Sequence, residues 1–507
     1  MTLILPLETF QLILKDVDDL KSLHSSLLVN KSWCKSTVAF IWNSPFSFDF
    51  HPKRMSKVVP ILLSNLPLEI KADLKLENIP ESTTFDYGWF IQKLDICALF
   101  TAVHWWLYQT YPKRILIPIM KHRNSLPPSI EIKAQNEITS CVKAIYEMIL
   151  TRTKGLEKLN IISSNRLDSM CYYFMNNIFK NIFILQEAQI SYSKITKMYL
   201  DGNFNFPFTE LSNFTGNIME LSIMYDLQEC VELAKEMVAF IVAQKSLEYL
   251  HLNLNGMKIW YSILLGLPRN SIKYLAIIPV QKIYEEKVDF TLLSQLSKLE
   301  DLHIVNFDLS LNQAECLKTI FIPNLLSLTM KLYSNRLIDD ESLYPSLLKN
   351  HGRTLRKLKC NGKIANNSYY TSISSFCPNI TFIWADLDSI FFTVFAFDCF
   401  KTIFVCCPGI QTITVKMTYI EGNYISKFTE ILPNSLIFLS IEGEIRFDQL
   451  KQLLLYCNND SLTVDFMYRG YSGPENIINR IKRMFEISKR ALKEVKVEKG
   501  VKFIIKW

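Results

Sequence analysis

The chain has 507 residues, a hydrophobic share of 49% and only 14 glycines. That length exceeds what one compact core usually supports, so several domains or an extended repeat array are expected, and the even spread of apolar residues excludes a disordered or fibrous chain. The balance of 56 Lys+Arg against 49 Asp+Glu, a net +7 without a long basic run, leaves no electrostatic footprint for nucleic acid. Twelve cysteines form no C-x-x-C pair, and only Cys406 and Cys407 are adjacent. This pattern predicts buried thiols in a reducing compartment, cytoplasmic or nuclear, with no disulfide scaffold, zinc site or other cofactor. The first residues, Met1 to Glu8, lack the basic start of a secretory signal. The most hydrophobic window, Ile390 to Cys407, is interrupted by Asp398 and Lys401, which predicts a buried helix and no membrane span.

Pro6 suits the first turn of a helix, where its missing N–H has no partner in any case, and Phe10, Ile13, Leu14 and Val17 follow at helical spacing. Asp18-Asp19 offers an N-cap to a second helix carrying Leu20, Leu23, Leu27 and Leu28. Asn30 or Ser32 starts a third through Trp33, Thr37, Phe40 and Ile41, and Pro45 closes the segment. Three short helices cannot bury much apolar area alone, so they are expected to complete themselves against a partner. The run Leu5-Pro6, Glu8, Ile13, Asp19-Leu20, Ser22-Leu23, Leu27-Leu28-Val29-Asn30-Lys31, Trp33 and Trp42 closely resembles an F-box motif over residues 3 to 45. That resemblance implies docking on the Skp adaptor of a cullin-RING ubiquitin ligase of the SCF type. It assigns the adaptor contact to Leu5, Pro6, Ile13, Leu20, Leu23, Leu28, Val29 and Trp33. Leu7 departs from the more usual polar residue at its position. The plain structural alternative is a helical cap packed onto the rest of the chain.

From residue 46 to 135 seven single or paired prolines punctuate short apolar segments, which reads as an irregular connector and an amino-terminal cap for a repeat array. Within it Tyr87 to Ile96 reads as an early strand and Ala98 to Tyr108 as a helix carrying Trp105 and Trp106. These tryptophans suit packing between the two parts of the chain or a ligand cage.

Residues 136 to 507 read as the repeat array itself. The spacing L-x-x-L-x-L starts at Leu156 and returns at Ile195, Ile218, Leu247, Ile272, Leu299, Leu325, Leu355, Ile380, Ile410, Leu436, Leu462 and Leu492, degenerate at Ile380 and Leu462. From Ile195 the mean interval is about 27 residues, inside the range of leucine-rich repeats. Helical spacing lies between strands at Val231 to Val242, Val288 to Leu296, Phe447 to Leu454 and Ile477 to Phe485. Such units bury their apolar faces only by stacking, which predicts an α/β solenoid with a curved parallel sheet inside and helices outside. An F-box followed by these repeats resembles the F-box/leucine-rich-repeat proteins as a class. The asparagine ladder familiar after the strand is mostly absent.

In each strand the residues between the buried leucines form the opposite face. They include Lys197, Tyr199, Asp301, His303, Lys416, Phe438 and Asp465, and, as the preferred substrate-binding candidates, Tyr249, His251, Tyr274, Lys331, Lys357, Lys359, Phe382 and Trp384. Aromatic residues in the middle of an open sheet face are costly in water without a purpose, although cross-strand packing is a competing reason for them. Lys331, Lys357 and Lys359 fall on successive repeats, where they attract an acidic or phosphorylated segment or merely solvate the face. No phosphate-binding glycine loop, metal-binding histidine pair or nucleophile elbow is present, and His251, His303 and Asp301 read as polar residues of a binding sheet. The function expected is therefore a non-catalytic substrate receptor, with the Skp adaptor and an unknown target protein as partners and neither nucleic acid nor membrane. A protein-binding scaffold unconnected with ubiquitination is the alternative.

Overall fold

The computed structural model describes residues 7–17, 19–47, 50–76, 79–112, 128–162, 186–201, 206–226, 231–255, 260–279, 288–307, 309–332, 342–360, 367–386, 394–416, 428, 430–445, 462–468, 482, 494–498 and 502–506. It divides into two units, Met1–Leu250 and His251–Trp507.

The first unit opens with three helices, α1 (Leu7–Lys15), α2 (Leu20–Leu27) and α3 (Lys31–Ile41). Asp19 caps α2, accepting from the backbone N–H of Lys21 and Ser22, and Asn30 rather than Ser32 caps α3, accepting from Trp33 N–H at 2.9 Å. Their apolar stripes meet in a small core of Phe10, Leu14 and Leu23, with Val17, Leu20, Trp33, Phe40 and Ile41 packed against it. The Phe10 and Trp33 rings lie 4.4 Å apart.

The end of α3 is joined directly to the sheet. Trp42 lies 4.0 Å from Tyr87, ring to ring, and the carbonyl of Asn43 accepts from both Gln92 N–H and Lys93 N–H at 3.0 Å. Gln92 then accepts from Glu157 and Lys158, Glu157 from Thr196 and Lys197, Thr196 from Met219 and Glu220, and Met219 from Glu248 and Tyr249. One carbonyl thus serves two successive N–H groups of the next repeat, and Asn43 supplies the first rung.

The expected strand Tyr87 to Ile96 resolves into a 3₁₀ turn (Tyr87–Phe90) and a short strand, β1 (Lys93–Asp95). Ile91, Leu94 and Ile96 are buried and carry the repeat spacing, so the array begins one repeat before its first clear copy at Leu156. β1 pairs in parallel with β2 (Lys158–Ile162), β2 with β3 (Lys197–Asp201), and β3 with β4 (Glu220–Asp226). Helices at Ile96–Thr110 and Val231–Ala243 match those read from spacing. β5 (Tyr249–Asn255) runs across the boundary between the units.

In the second unit β6 (Tyr274–Pro279), β7 (Asp301–Phe307), β8 (Ser327–Leu332), β9 (Lys357–Cys360), β10 (Phe382–Asp386), β11 (Thr412–Lys416), β12 (Phe438–Ile445) and β13 (Thr463–Tyr468) pair in sequence and in parallel. Each begins one or two residues after the first residue of its spacing, which is fully buried in every case from Ile272 to Leu462. The parallel order breaks at the end. β14 (Glu494–Glu498) does not pair with β13; β15 (Lys502–Lys506) lies between them, antiparallel to both. Three residues separate β14 from β15, enough for an antiparallel return but too few for a parallel crossover.

The segment Val288 to Leu296 forms a 3₁₀ helix (Phe290–Gln295) in place of the expected α-helix. Phe290, Leu293 and Leu296 are buried at intervals of three, which suits three residues per turn. Phe447 to Leu454 and, apart from Lys482, Ile477 to Phe485 lie outside the described residues. Helices at Leu311–Thr319, Leu343–His351, Asn367–Phe376 and Val394–Cys406 stack in order. A chain of buried rings, Tyr344, Tyr369, Tyr370 and Phe400, joins the last three, with successive centroids 5.0–5.5 Å apart. In the described part of the hydrophobic window Phe400, Ile403 and Phe404 are buried but Val405 is 74% exposed, so the helix expected to be buried shows one face to solvent; among the described residues no helix is long and apolar enough to cross a membrane.

A feature before the strands replaces the missing ladder after them. Asn324 and Asn379, each following a proline, donate to the carbonyls of Ser297 (2.7 Å) and Arg353 (2.9 Å) one repeat earlier. Gly352, at the end of the helix Leu343–His351, has room for no side chain. A Cβ there would stand 2.5 Å from two backbone carbonyl oxygens, Leu348 and Phe376. Gly352→Ala should cost about 1–3 kcal/mol, seen as a lower urea midpoint for the second unit.

The described cysteines are free thiols, and Cys97, Cys141, Cys360, Cys377, Cys399 and Cys407 are buried while Cys406 is exposed. Burial pushes Cys360 and Cys377 up to about 12 and Cys407 up to about 11. In native titration with a disulfide reagent, Cys406→Ser should remove one fast-reacting thiol and Cys377→Ser none.

Candidate interaction surfaces

The helical segment separates the motif residues into two groups. Leu23 is buried, and Leu20 and Trp33 are packed against the core that holds the three helices together. Ile13, Leu28 and Val29 are instead 48%, 79% and 57% exposed, and Leu12, which the motif did not single out, is 65% exposed. Leu5 and Pro6 lie outside the described residues. The exposed group results from position: Leu28 is the C-cap residue of α2 and Val29 begins the turn to α3, beyond the reach of the core. Apolar side chains this open, next to a core that is already complete, mark a surface available to a partner.

On the open face of the first unit, register places Lys93, Lys158 and Lys197 in one row, followed by Glu220. Lys197 Nζ stands 2.8 Å from Glu220 Oε2, the Tyr199 hydroxyl donates to Glu220 Oε1, and Lys158 Nζ lies 4.4 Å from the centre of the Tyr199 ring. Lys197 and Tyr199 are thus held in a network within the chain. In the next row Asp95 is 4% exposed and accepts from Ala98 N–H at 2.9 Å, capping the helix Ile96–Thr110. Burial pushes its carboxyl up to about 6, against the hydrogen bonds and the nearby Lys158 that favour the charge. The folded pKa lies above the ordinary value, so stability is lost as pH rises through about 6. Asp95→Asn keeps a cap acceptor without the charge. It should raise stability by about 2 kcal/mol at neutral pH, with the gain fading as pH falls from about 6 to about 4, read from thermal unfolding as a function of pH.

On the second unit's face His251 lies near enough to His303 to feel its charge. His303 Nε2 stands 2.8 Å from Asp301 Oδ1, and the Tyr274 ring lies 5.0 Å from the imidazole. Burial, and secondarily the charge of His303, lowers the pKa of His251. His251 and Tyr274 are half-buried, as is Tyr249 at the end of the first unit. Among the described residues no group of three or more His, Cys, Asp or Glu is placed to hold a metal ion.

Farther along the same unit, Lys357 stands opposite Phe382 and Lys359 opposite Trp384. Lys357 is exposed, and Lys359, Lys331 and Phe382 are half-buried. Trp384 is only 3% exposed, so it is not the open aromatic that its place in the row suggested. The reason is local: Lys331 Nζ and Lys359 Nζ lie 4.9 Å and 5.2 Å from its ring centre, and their stems cover it. Its indole Nε1 is buried with no hydrogen-bond partner. Spacing alone does not show this cover, because Lys331 reaches Trp384 from two strands away.

No family model matches the chain, and no curated protein matches it. Among solved structures it is similar to the leucine-rich repeat-containing protein LegL7 from Legionella pneumophila, at 15% identity over 62% of this chain and 94% of that one, with a TM-score of 0.33. It is similar also to a chain of the Rad7 and Elc1 complex in yeast, at 15% identity over 62% of this chain and 81% of that one, with a TM-score of 0.39. A third is a chain of the TLR13–ssRNA13 complex, at 13% identity over 62% of this chain and 44% of that one, with a TM-score of 0.30.

Proposed function

We propose that this chain is a non-catalytic substrate-recognition subunit of an SCF-type ubiquitin ligase, in which α1–α3 dock on the Skp adaptor and the sheet captures a target protein. The observation that carries the reading is the exposed apolar set Leu12, Ile13, Leu28 and Val29 on helices whose own core is complete. The F-box resemblance of the same segment supplies the partner. The chain's part in the reaction is positional. A target held near the ubiquitin-charged enzyme reacts at a high effective concentration, and no residue here makes or breaks a bond. Co-purification with a Skp adaptor tests it, using Leu28→Asp with Val29→Asp; adaptor capture unchanged by that pair overturns the docking site.

The second reading, a repeat scaffold capped by its helices and unconnected with ubiquitination, is favoured by one observation. Trp42 and Asn43 tie α3 to the first strand as a cap would. A chain that captures target but no Skp adaptor supports it.

A further inference from the structure

We propose that the open face at β8–β10 takes an extended acidic peptide segment with carboxylates at alternate positions, gripped by Lys357 and Lys359 and backed by Trp384 and Lys331. This rests on the sheet being the target-capturing surface of the proposed function, and not on adaptor docking.

Lys357 and Lys359 are two residues apart on one strand, so their side chains leave the same face about 6.6 Å apart. An extended peptide carries side chains i and i+2 at the same interval, which matches one carboxylate to each ammonium. Adjacent acidic residues point to opposite sides of such a peptide and match only one. Phe382, half-buried in the strand position opposite Lys357, adds an apolar surface, and Trp384 backs Lys359 from beneath.

The charges favour an anionic occupant. Lys143, Lys197, Lys235 and Lys318 each have a glutamate within 4 Å, whereas among the described residues neither Lys357 nor Lys359 has a carboxylate partner. Lys331 and Lys359 also place two ammonium groups against one indole, within about 10 Å of each other. Lys359, which has no carboxylate partner among the described residues, thus holds its ammonium beside an apolar ring, where a carboxylate is drawn to it. Flanking Thr329 and Thr414 in the same row add no opposing charge.

The test uses the full chain and a fluorescein-labelled peptide with glutamates alternating with threonines, read by fluorescence anisotropy at physiological salt. The parent chain should bind it saturably. It should bind a peptide of the same composition with paired, adjacent glutamates several-fold more weakly. Lys357→Gln with Lys359→Gln should weaken binding about tenfold or more, while the double arginine variant retains it and Lys235→Gln, on a helix of the first unit, has no effect. Trp384→Leu, which removes the ring that Lys331 and Lys359 lie against, should weaken binding several-fold with the melting temperature as a control for folding. No saturable binding by the parent, equal affinity in the double glutamine variant, or binding only when phosphoserine replaces the glutamates overturns the proposal. Adaptor capture should be unchanged by the lysine variants, so failure of adaptor docking and failure of this site are told apart.

Discussion

Replacing Leu28 and Val29 together by aspartate should abolish capture of a Skp adaptor while leaving the fold intact. Both side chains stand largely in water, outside the core of Phe10, Leu14 and Leu23. Surface exchanges of this kind usually change stability by no more than about 0.5 kcal/mol. Burying two such side chains against a partner is worth about 1.5–3 kcal/mol each, and burying an unpaired carboxylate in their place is costly. Adaptor affinity should therefore fall about a hundredfold or more, with the melting temperature nearly unchanged. Leu20 and Trp33 serve poorly for the same test. Trp33 packs on Phe10, so its loss loosens the helices and reduces binding whether or not it touches the adaptor.

Removing residues 1 to 45 should produce an insoluble or aggregating chain, whichever role the helices serve. The cut deletes the Asn43 carbonyl that accepts from Gln92 and Lys93 and the Trp42 ring that covers Tyr87. It leaves β1 as an open edge without the carbonyl that its first N–H groups use. Deletion would otherwise separate an independent docking module from a structural cap, but here the module's last turn is also the first rung of the array. Trp42→Ala, a milder cut at the same joint, should lower stability by about 2 kcal/mol without touching Leu28 or Val29. A soluble deletion with the melting profile of the parent would show that the rung contributes nothing.

The array is legible in the sequence because its signal is redundant. Each copy places apolar residues at three fixed positions, and all twelve copies from Leu156 to Leu462 lead into a strand at the expected place. β1 escapes notice because proline-rich sequence surrounds it, although Ile91, Leu94 and Ile96 carry the same spacing. The closing hairpin is hidden because Leu492 fits the parallel pattern, while β15, which takes its place beside β13, has no such spacing. The Pro-Asn pairs at Pro323-Asn324 and Pro378-Asn379 are a readable signal, lying before the strand and not after it, where a ladder is expected.

The surfaces are less legible than the fold. The motif names the residues of α1–α3 but not which face outward, because a short helix whose apolar residues serve both its own core and a partner shows one stripe for two purposes. On the sheet, alternation identifies the open face but not what covers it. Trp384 is hidden by lysines, one of them two strands away, and Lys197 and Tyr199 are engaged by Glu220 on the next strand. These contacts depend on register between repeats, which single-strand spacing does not contain.

If two separate surfaces, one helical and apolar, one on the sheet and basic, serve two different partners, each partner should be lost independently of the other. The decisive measurement is paired: adaptor affinity and acidic-peptide affinity, each determined for the parent, for Leu28→Asp with Val29→Asp, and for Lys357→Gln with Lys359→Gln. The helix pair should lose the adaptor and keep the peptide, and the lysine pair should lose the peptide and keep the adaptor. Loss of both ligands in either variant with folding intact, or of neither, would contradict this division between the two surfaces.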